Sequence, residues 1–192
     1  MNPVTQTSNG NIRVLILATM AFAVCFAGWA LFSPLAVYFK VEFNLSSTKV
    51  GLLLATPVLL GSIARVPIGV LTDKYGGRRI FSILLLFGFF PMFIAGFANS
   101  YWFLLMCGFF FGMVGTSFAI GIPQVSQWYP KEKQGLALGI YGVGNIGSAL
   151  ATFGAPFLAE SVGWHKVFMI YSIPLLFMAF VYWFFSADAP RP

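Results

Sequence analysis

Charge is scarce in this 192-residue chain. Eleven Lys and Arg and five Asp and Glu make up 8% of it, where soluble domains carry about 25%. A soluble globule of this length needs many more solvated side chains, so that class is excluded. Two cysteines exclude a disulfide scaffold, and 59% apolar residues exclude intrinsic disorder and a solvent-exposed coiled coil. One histidine, His165, is present, with no carboxylate pair and no Cys, His, Asp or Glu cluster at ligand spacing. Neither enzyme chemistry nor a metal or other cofactor is therefore expected. What the chain has instead is 23 phenylalanines, more than all its charges together. These proportions describe a polytopic membrane protein.

The gaps between charges place its segments. Residues 14–39, 80–130, 134–159 and 167–187 carry no charge, and 50–71 carry only Arg65. About 20 apolar residues in a helix cross a hydrocarbon core of about 30 Å. The gap over 80–130 therefore holds two crossings, with Ala98-Asn99-Ser100 as the turn between them. Six spans are expected, at roughly 14–39, 50–72, 80–98, 101–126, 135–158 and 166–186. Together they form one all-α integral membrane domain over residues 1–192. No ten-residue alternating segments of a β-barrel occur. Ala21-Phe22-Ala23 looks like a leader cleavage site, but the apolar run continues well past it, so an uncleaved helix is expected. With both termini on one side, that side holds Arg13, Lys74, Arg78, Arg79, Lys131, Lys133 and Arg191, and the other holds Lys40, Lys49 and Lys166. The basic excess marks the cytoplasmic side, so the termini are expected inside the plasma (inner) membrane. The basic residues sit in separate loops, which gives no nucleic-acid footprint.

Arg65 is the most informative residue. It precedes Asp73 by eight positions, about 12 Å of helix rise into the membrane. An Arg at such depth costs about 2.5 kcal/mol or more unless it finds a partner or a wet cavity. Its side chain either snorkels to the headgroups or faces a cavity and binds an anion. No Asp or Glu within a span can neutralise it, which favours the anion. In the fifth span Gly142, Asn145, Ser148 and Thr152 share one helix face, extended by Gly139 and Gly135. That stripe suits close helix packing, and it equally suits a site in which Gly142 makes room and the Asn145 amide donates to an anion. Gly142-Val143-Gly144-Asn145-Ile146-Gly147 matches a dinucleotide fingerprint, yet no strand precedes it, so that match is rejected. Gly108, Gly112, Gly115 and Ala119 mark a packing seam in the fourth span.

The segment Gly69-Val70-Leu71-Thr72-Asp73-Lys74-Tyr75-Gly76-Gly77-Arg78-Arg79 resembles the loop motif between helices 2 and 3 of the major facilitator superfamily. Gly69, Asp73, Gly76, Arg78 and Arg79 carry the likeness; Lys74 fills a motif position with Lys in place of Arg, and Thr72 and Gly77 also depart from the common pattern. Arg65-Val66-Pro67, Ser117-Phe118-Ala119 and the stretch from Trp128-Tyr129-Pro130 to Asn145-Ile146-Gly147 narrow the resemblance to the nitrate/nitrite porter family. The resemblance implies a substrate site of Arg65, Asn145, Phe26 and Phe118, with Gly142 beside the bound anion.

It also implies twelve helices in two halves, of which this chain supplies six. A second six-helix half is then expected as a separate chain, a missing C-terminal half or a second copy. Ala187-Asp188-Ala189-Pro190-Arg191-Pro192 reads like the start of a linker between halves. The expected activity is secondary transport of nitrate or nitrite by alternating access. Exchange is simpler than proton coupling, because no Asp, Glu or His lies in the spans. The alternatives are another small anion, such as a monocarboxylate or oxalate, and a non-transporting accessory or degenerate half.

Overall fold

A computed structural model describes residues 10–190, so Arg191 and Pro192 lie outside the described residues. Among the described residues there are six apolar helices of membrane-crossing length: α1 (Ile12–Glu42), α2 (Ser47–Tyr75), α3 (Gly77–Ala95), α4 (Tyr101–Trp128), α5 (Lys131–Val162) and α6 (Trp164–Phe185). This is the all-α, six-span architecture expected from the charge gaps. Most of the helices outrun the apolar windows, α5 by beginning at Lys131. A helix keeps its backbone paired beyond the hydrocarbon too, so it stops at a cap or a turn instead of at the membrane surface.

Local chemistry explains those stops. Asn11 Oδ1 accepts from the Val14 N–H at 3.2 Å, and the Ser46 and Ser100 hydroxyls accept from Lys49 N and Phe103 N at 3.4 Å each. Each caps an amide that has no partner within its own helix. Two connections need only one residue beyond the helix ends, Gly76 at φ +94° and Gly163 at φ +82°. Such angles are open to glycine and strained for a residue with a Cβ.

Three helices tighten into 3-10 turns, over Ala30–Phe32 in α1, Gly112–Thr116 in α4 and Val143–Asn145 in α5. Backbones touch within the second of these turns and just beyond the third. A Cβ on Gly112 would lie 2.1 Å from the Pro57 carbonyl oxygen, and one on Gly147 would lie 1.9 Å from that of Ala23. Helices α2 and α4, and α1 and α5, therefore cross at glycine contacts, as small-residue packing in membranes requires. The seam expected along α4 is present: Gly108 meets Phe32 and Pro57, and Gly112 meets Pro57.

In the bundle α4 and α1 stand in the middle, α2 packs on α4, and α5 packs mainly on α1. Helices α3 and α6 pair closely behind this row. Phenylalanines fill the interior, with Phe22, Phe39, Phe81, Phe111 and Phe168 fully buried, and Cys25 and Cys107 are buried as free thiols. At one end Trp164 donates to Glu42, and His165 Nε2 lies 3.0 Å from the Ala98 carbonyl oxygen. These contacts fasten α1, the α3–α4 turn and α6 together. The opposite end carries Arg13, Lys74, Arg78, Arg79, Lys131 and Lys133.

The glycine crossings give a paired test. Gly147→Ala places a methyl against backbone that cannot yield and is expected to cost about 3 kcal/mol. Gly139→Ala points into open space and is expected to leave stability within about 0.5 kcal/mol of the parent. Thermal unfolding in detergent compares the two.

Candidate functional site

An aromatic cluster occupies the meeting of α1, α4 and α5. Phe22 is its centre: its ring centroid lies 4.3 Å from Phe26, 5.3 Å from Phe118 and 4.8 Å from Tyr141, on which it stacks. The two aromatics expected at the site, Phe26 and Phe118, are thus brought together through Phe22. Phe26 is half-buried and Phe118 is 37% exposed, so both show an edge to the outside of the bundle. Tyr141 is buried and donates from its hydroxyl to the Ser117 carbonyl at 3.1 Å, which ties α5 to α4. Phe22 and Tyr141 escaped the sequence reading. Each stands four residues before an expected site residue, Phe26 and Asn145, and that spacing puts it on the same helix face.

Asn145 lies in the 3-10 turn of α5 and is exposed. Its amide nitrogen donates to the Gly142 carbonyl at 2.9 Å, so one of its two N–H groups is used within the helix and one remains. Thr152 likewise turns its hydroxyl back to the Ser148 carbonyl. Five of the six α5 glycines divide into two sets. Gly144 and Gly147 pack on α1, while Gly135, Gly139 and Gly142 have nothing within 4 Å of a would-be Cβ. Packing against a described helix accounts for the first set and not for the second.

Arg65 stands on α2, which runs unbroken from Ser47 to Tyr75 with Pro57 and Pro67 inside it. Ten residues separate it from Tyr75, about 15 Å of helix. It is exposed, and among the described residues its guanidinium has no hydrogen bond, ion pair or ring contact. Pro67 lacks an N–H, so the Ile63 carbonyl one turn away has no intrahelical donor. Helices α2 and α5 share no extensive contact and flank the α4–α1 pair on opposite sides. The structure thus joins Gly142 to Asn145 and Phe26 to Phe118, and holds Arg65 across the row from Asn145.

The loop motif divides by task. Gly76 makes the turn into α3, and the Arg78 N–H donates to Asp188 Oδ1 at 2.8 Å. Arg78 Nε donates to the Trp183 carbonyl at 2.8 Å, with the guanidinium 5.6 Å from the Trp183 ring centroid. Gly69 has nothing within 4 Å of a would-be Cβ, Asp73 and Arg79 are exposed, and the Lys74 ammonium lies over the Tyr75 ring. Asp188 belongs to the segment that read as the start of a linker. In the structure this segment is docked: Gln124 donates to Ser186 Oγ and the Ala187 carbonyl at 3.3 Å each, and the Trp128 indole donates to the same carbonyl at 3.4 Å. The segment after Trp128 has its own local purpose. The Gln134 amide donates to the carbonyls of Ser126 and Tyr129 at 2.9 and 3.1 Å and so caps the end of α4. Tyr129, in that turn, is held above the ordinary phenol range by burial.

The family model described as Major Facilitator Superfamily matches residues 17–192. The chain is 39% identical over 185 residues to a probable nitrate/nitrite antiporter, NarK1, of Thermus thermophilus, covering 90% of this chain and 42% of that protein. It is 39% identical over 172 residues to the nitrite extrusion protein of Bacillus subtilis strain 168, covering 90% and 44%. It is 35% identical over 185 residues to a probable nitrate transporter, NarT, of Staphylococcus carnosus strain TM300, covering 96% and 47%. The chain thus spans a little under half the length of these curated relatives. Among solved structures, a bacterial homolog of the human lysosomal transporter Spinster, inward-facing and occupied, superposes with a TM-score of 0.78 at 20% identity, covering 93% of this chain and 44% of that one. At that identity the likeness concerns the fold.

The docked segment yields a stability test. Asp188→Ala removes the acceptor from the first turn of α3 and is expected to cost about 1 kcal/mol, as helix N-caps do. Asp188→Asn, which keeps an acceptor oxygen, is expected to retain most of it. Thermal unfolding in detergent measures the difference.

Proposed function

The chain belongs to the Major Facilitator Superfamily, and we propose that it forms the N-terminal six-helix half of a nitrate/nitrite transporter that works by alternating access. The observation that carries this is the bare guanidinium of Arg65, held about 15 Å along a membrane-length helix with no partner among the described residues. A buried-depth cation needs a counter-charge or water, and relatives named for nitrate and nitrite make a small planar anion the natural guest.

The chemistry suits that guest. Nitrate is planar and singly charged, and a guanidinium fork pairs with two of its oxygens at once. Phe26 and Phe118, set by Phe22, form an apolar wall that raises the desolvation cost of strongly hydrated anions such as phosphate. The free N–H of Asn145 donates from the α5 side, and Gly142 leaves room next to it. A second six-helix half, whether a separate chain, a C-terminal continuation or a second copy, covers Arg65 and the open glycine stripe, and the anion lies between the halves near midplane. The glycine crossings keep this half rigid while the halves rock. No carboxylate accompanies Arg65, so exchange of nitrate for nitrite needs no proton step here. The Lys and Arg excess at the basic end of the bundle supports placing that end on the cytoplasmic side of the plasma (inner) membrane.

Uptake by the chain assembled with its second half tests this. Arg65→Gln removes charge-assisted hydrogen bonds worth about 1.5–3 kcal/mol, an expected loss of about 10–100-fold in nitrate affinity. Arg65→Lys keeps charge without the fork and is expected to remain well below the parent. Normal nitrate affinity in Arg65→Lys would overturn bidentate recognition. Uptake of oxalate or a monocarboxylate that nitrate fails to compete away would reassign the substrate.

A further inference from the structure

Two apolar grooves run along the outer side of α3 and meet at one residue. The first, of about 410 Å³, lies between α2 and α3 and is lined by Ile68, Leu71, Leu84 and Phe87, with Arg79 and Tyr75 among its walls. The second, of about 320 Å³, lies between α3 and α6 and is lined by Leu86, Ala179, Phe180 and Phe184, with Trp183 among its walls. Ile83 lines both and is exposed between them. A third, polar recess shares Arg79 and Tyr75 with the first groove and Trp183 with the second, and is completed by Lys74, Arg78, Asp188 and Ala189.

The charges of that recess are three cations against one carboxylate. Asp188 is engaged by the Arg78 N–H, and Arg78 is engaged with Trp183. Arg79 is exposed and, among the described residues, holds no partner. Tyr75 and Trp183 stand at the helix ends, the depth at which such rings meet headgroups. A positive recess opening into two neighbouring apolar grooves of similar size has the shape of one diacyl lipid.

We propose that this face binds an anionic glycerophospholipid, its phosphate on Arg79 and its two acyl chains laid on either side of Ile83. Helices α3 and α6 stand behind the row that carries Arg65 and Asn145, and α2 serves both, with Ile68 and Leu71 walling the first groove. A basic recess between helix ends is a recognised means of selecting anionic headgroups.

Native mass spectrometry of the purified chain, titrated with equimolar phosphatidylglycerol and phosphatidylcholine, tests the proposal. The parent is expected to retain phosphatidylglycerol preferentially. Arg79→Gln is expected to lower that preference about fivefold, as loss of one surface cation does, and Arg79→Lys to keep it. Ile83→Trp, which fills the junction of the grooves, is expected to reduce retention of both lipids. Glycerol 1-phosphate is expected not to displace the lipid, and Lys131→Gln to leave the preference intact. An unchanged preference in Arg79→Gln would overturn the proposal. So would displacement by glycerol 1-phosphate, which means an anion site without a lipid, or an equal loss in Lys131→Gln, which means general surface attraction.

Discussion

Placing a permanent cation on a helix built to sit in hydrocarbon commits the surrounding structure. Arg65 carries a planar guanidinium with five donors and no acceptor, and hydrocarbon offers those donors nothing to bond. Its stability in place therefore depends on water, on lipid headgroups reached by snorkelling, or on a visiting anion. Helix α2 offers no acidic partner near it, and the neighbouring helices leave its face uncovered. The arrangement makes sense if that face is one wall of a water-filled space shared with another set of helices. The unpacked glycines of α5 describe the opposite wall in the same way.

The rest of the bundle isolates that wall from the packing that holds the half together. Backbone crossings at Gly112 and Gly147 bring α2 onto α4 and α1 onto α5, and α3 with α6 closes the back. Phe22 and Tyr141 work between the two: both are fully buried, yet they hold the half-exposed Phe26 and Phe118 in position. At the basic end the loop motif acts as a fastening. Arg78 and Asp188 join the start of α3 to the end of α6, which keeps the mouth of the half in register.

Much of this was legible in the sequence because a membrane forces charge to the ends of helices. The four charge-free windows mark five spans, and the sixth is apolar throughout except for Arg65. The expected pairing of Phe26 with Phe118 came from resemblance, and the structure supplies Phe22 as the link. What stayed hidden is contact between distant segments. Asp188 meets Arg78 across 110 residues, and nothing in its local sequence distinguishes a docked carboxylate from a linker residue. Which glycines pack was hidden as well. Where every face of a helix is apolar, periodicity no longer marks the inward side, so Gly142 and Gly144 look alike in sequence and face opposite ways in the fold.

Water and anion access beside Arg65 is the central claim, and thiol labelling one turn away reads it with the arginine intact. Ser62→Cys, in a chain whose Cys25 and Cys107 are replaced by alanine and which is assembled with its second half in membranes, is treated with a membrane-impermeant cationic thiol reagent. The expected result is modification that nitrate slows and phosphate leaves unchanged. A cysteine that is never modified, or one modified at the same rate with and without nitrate, would contradict an anion site at Arg65.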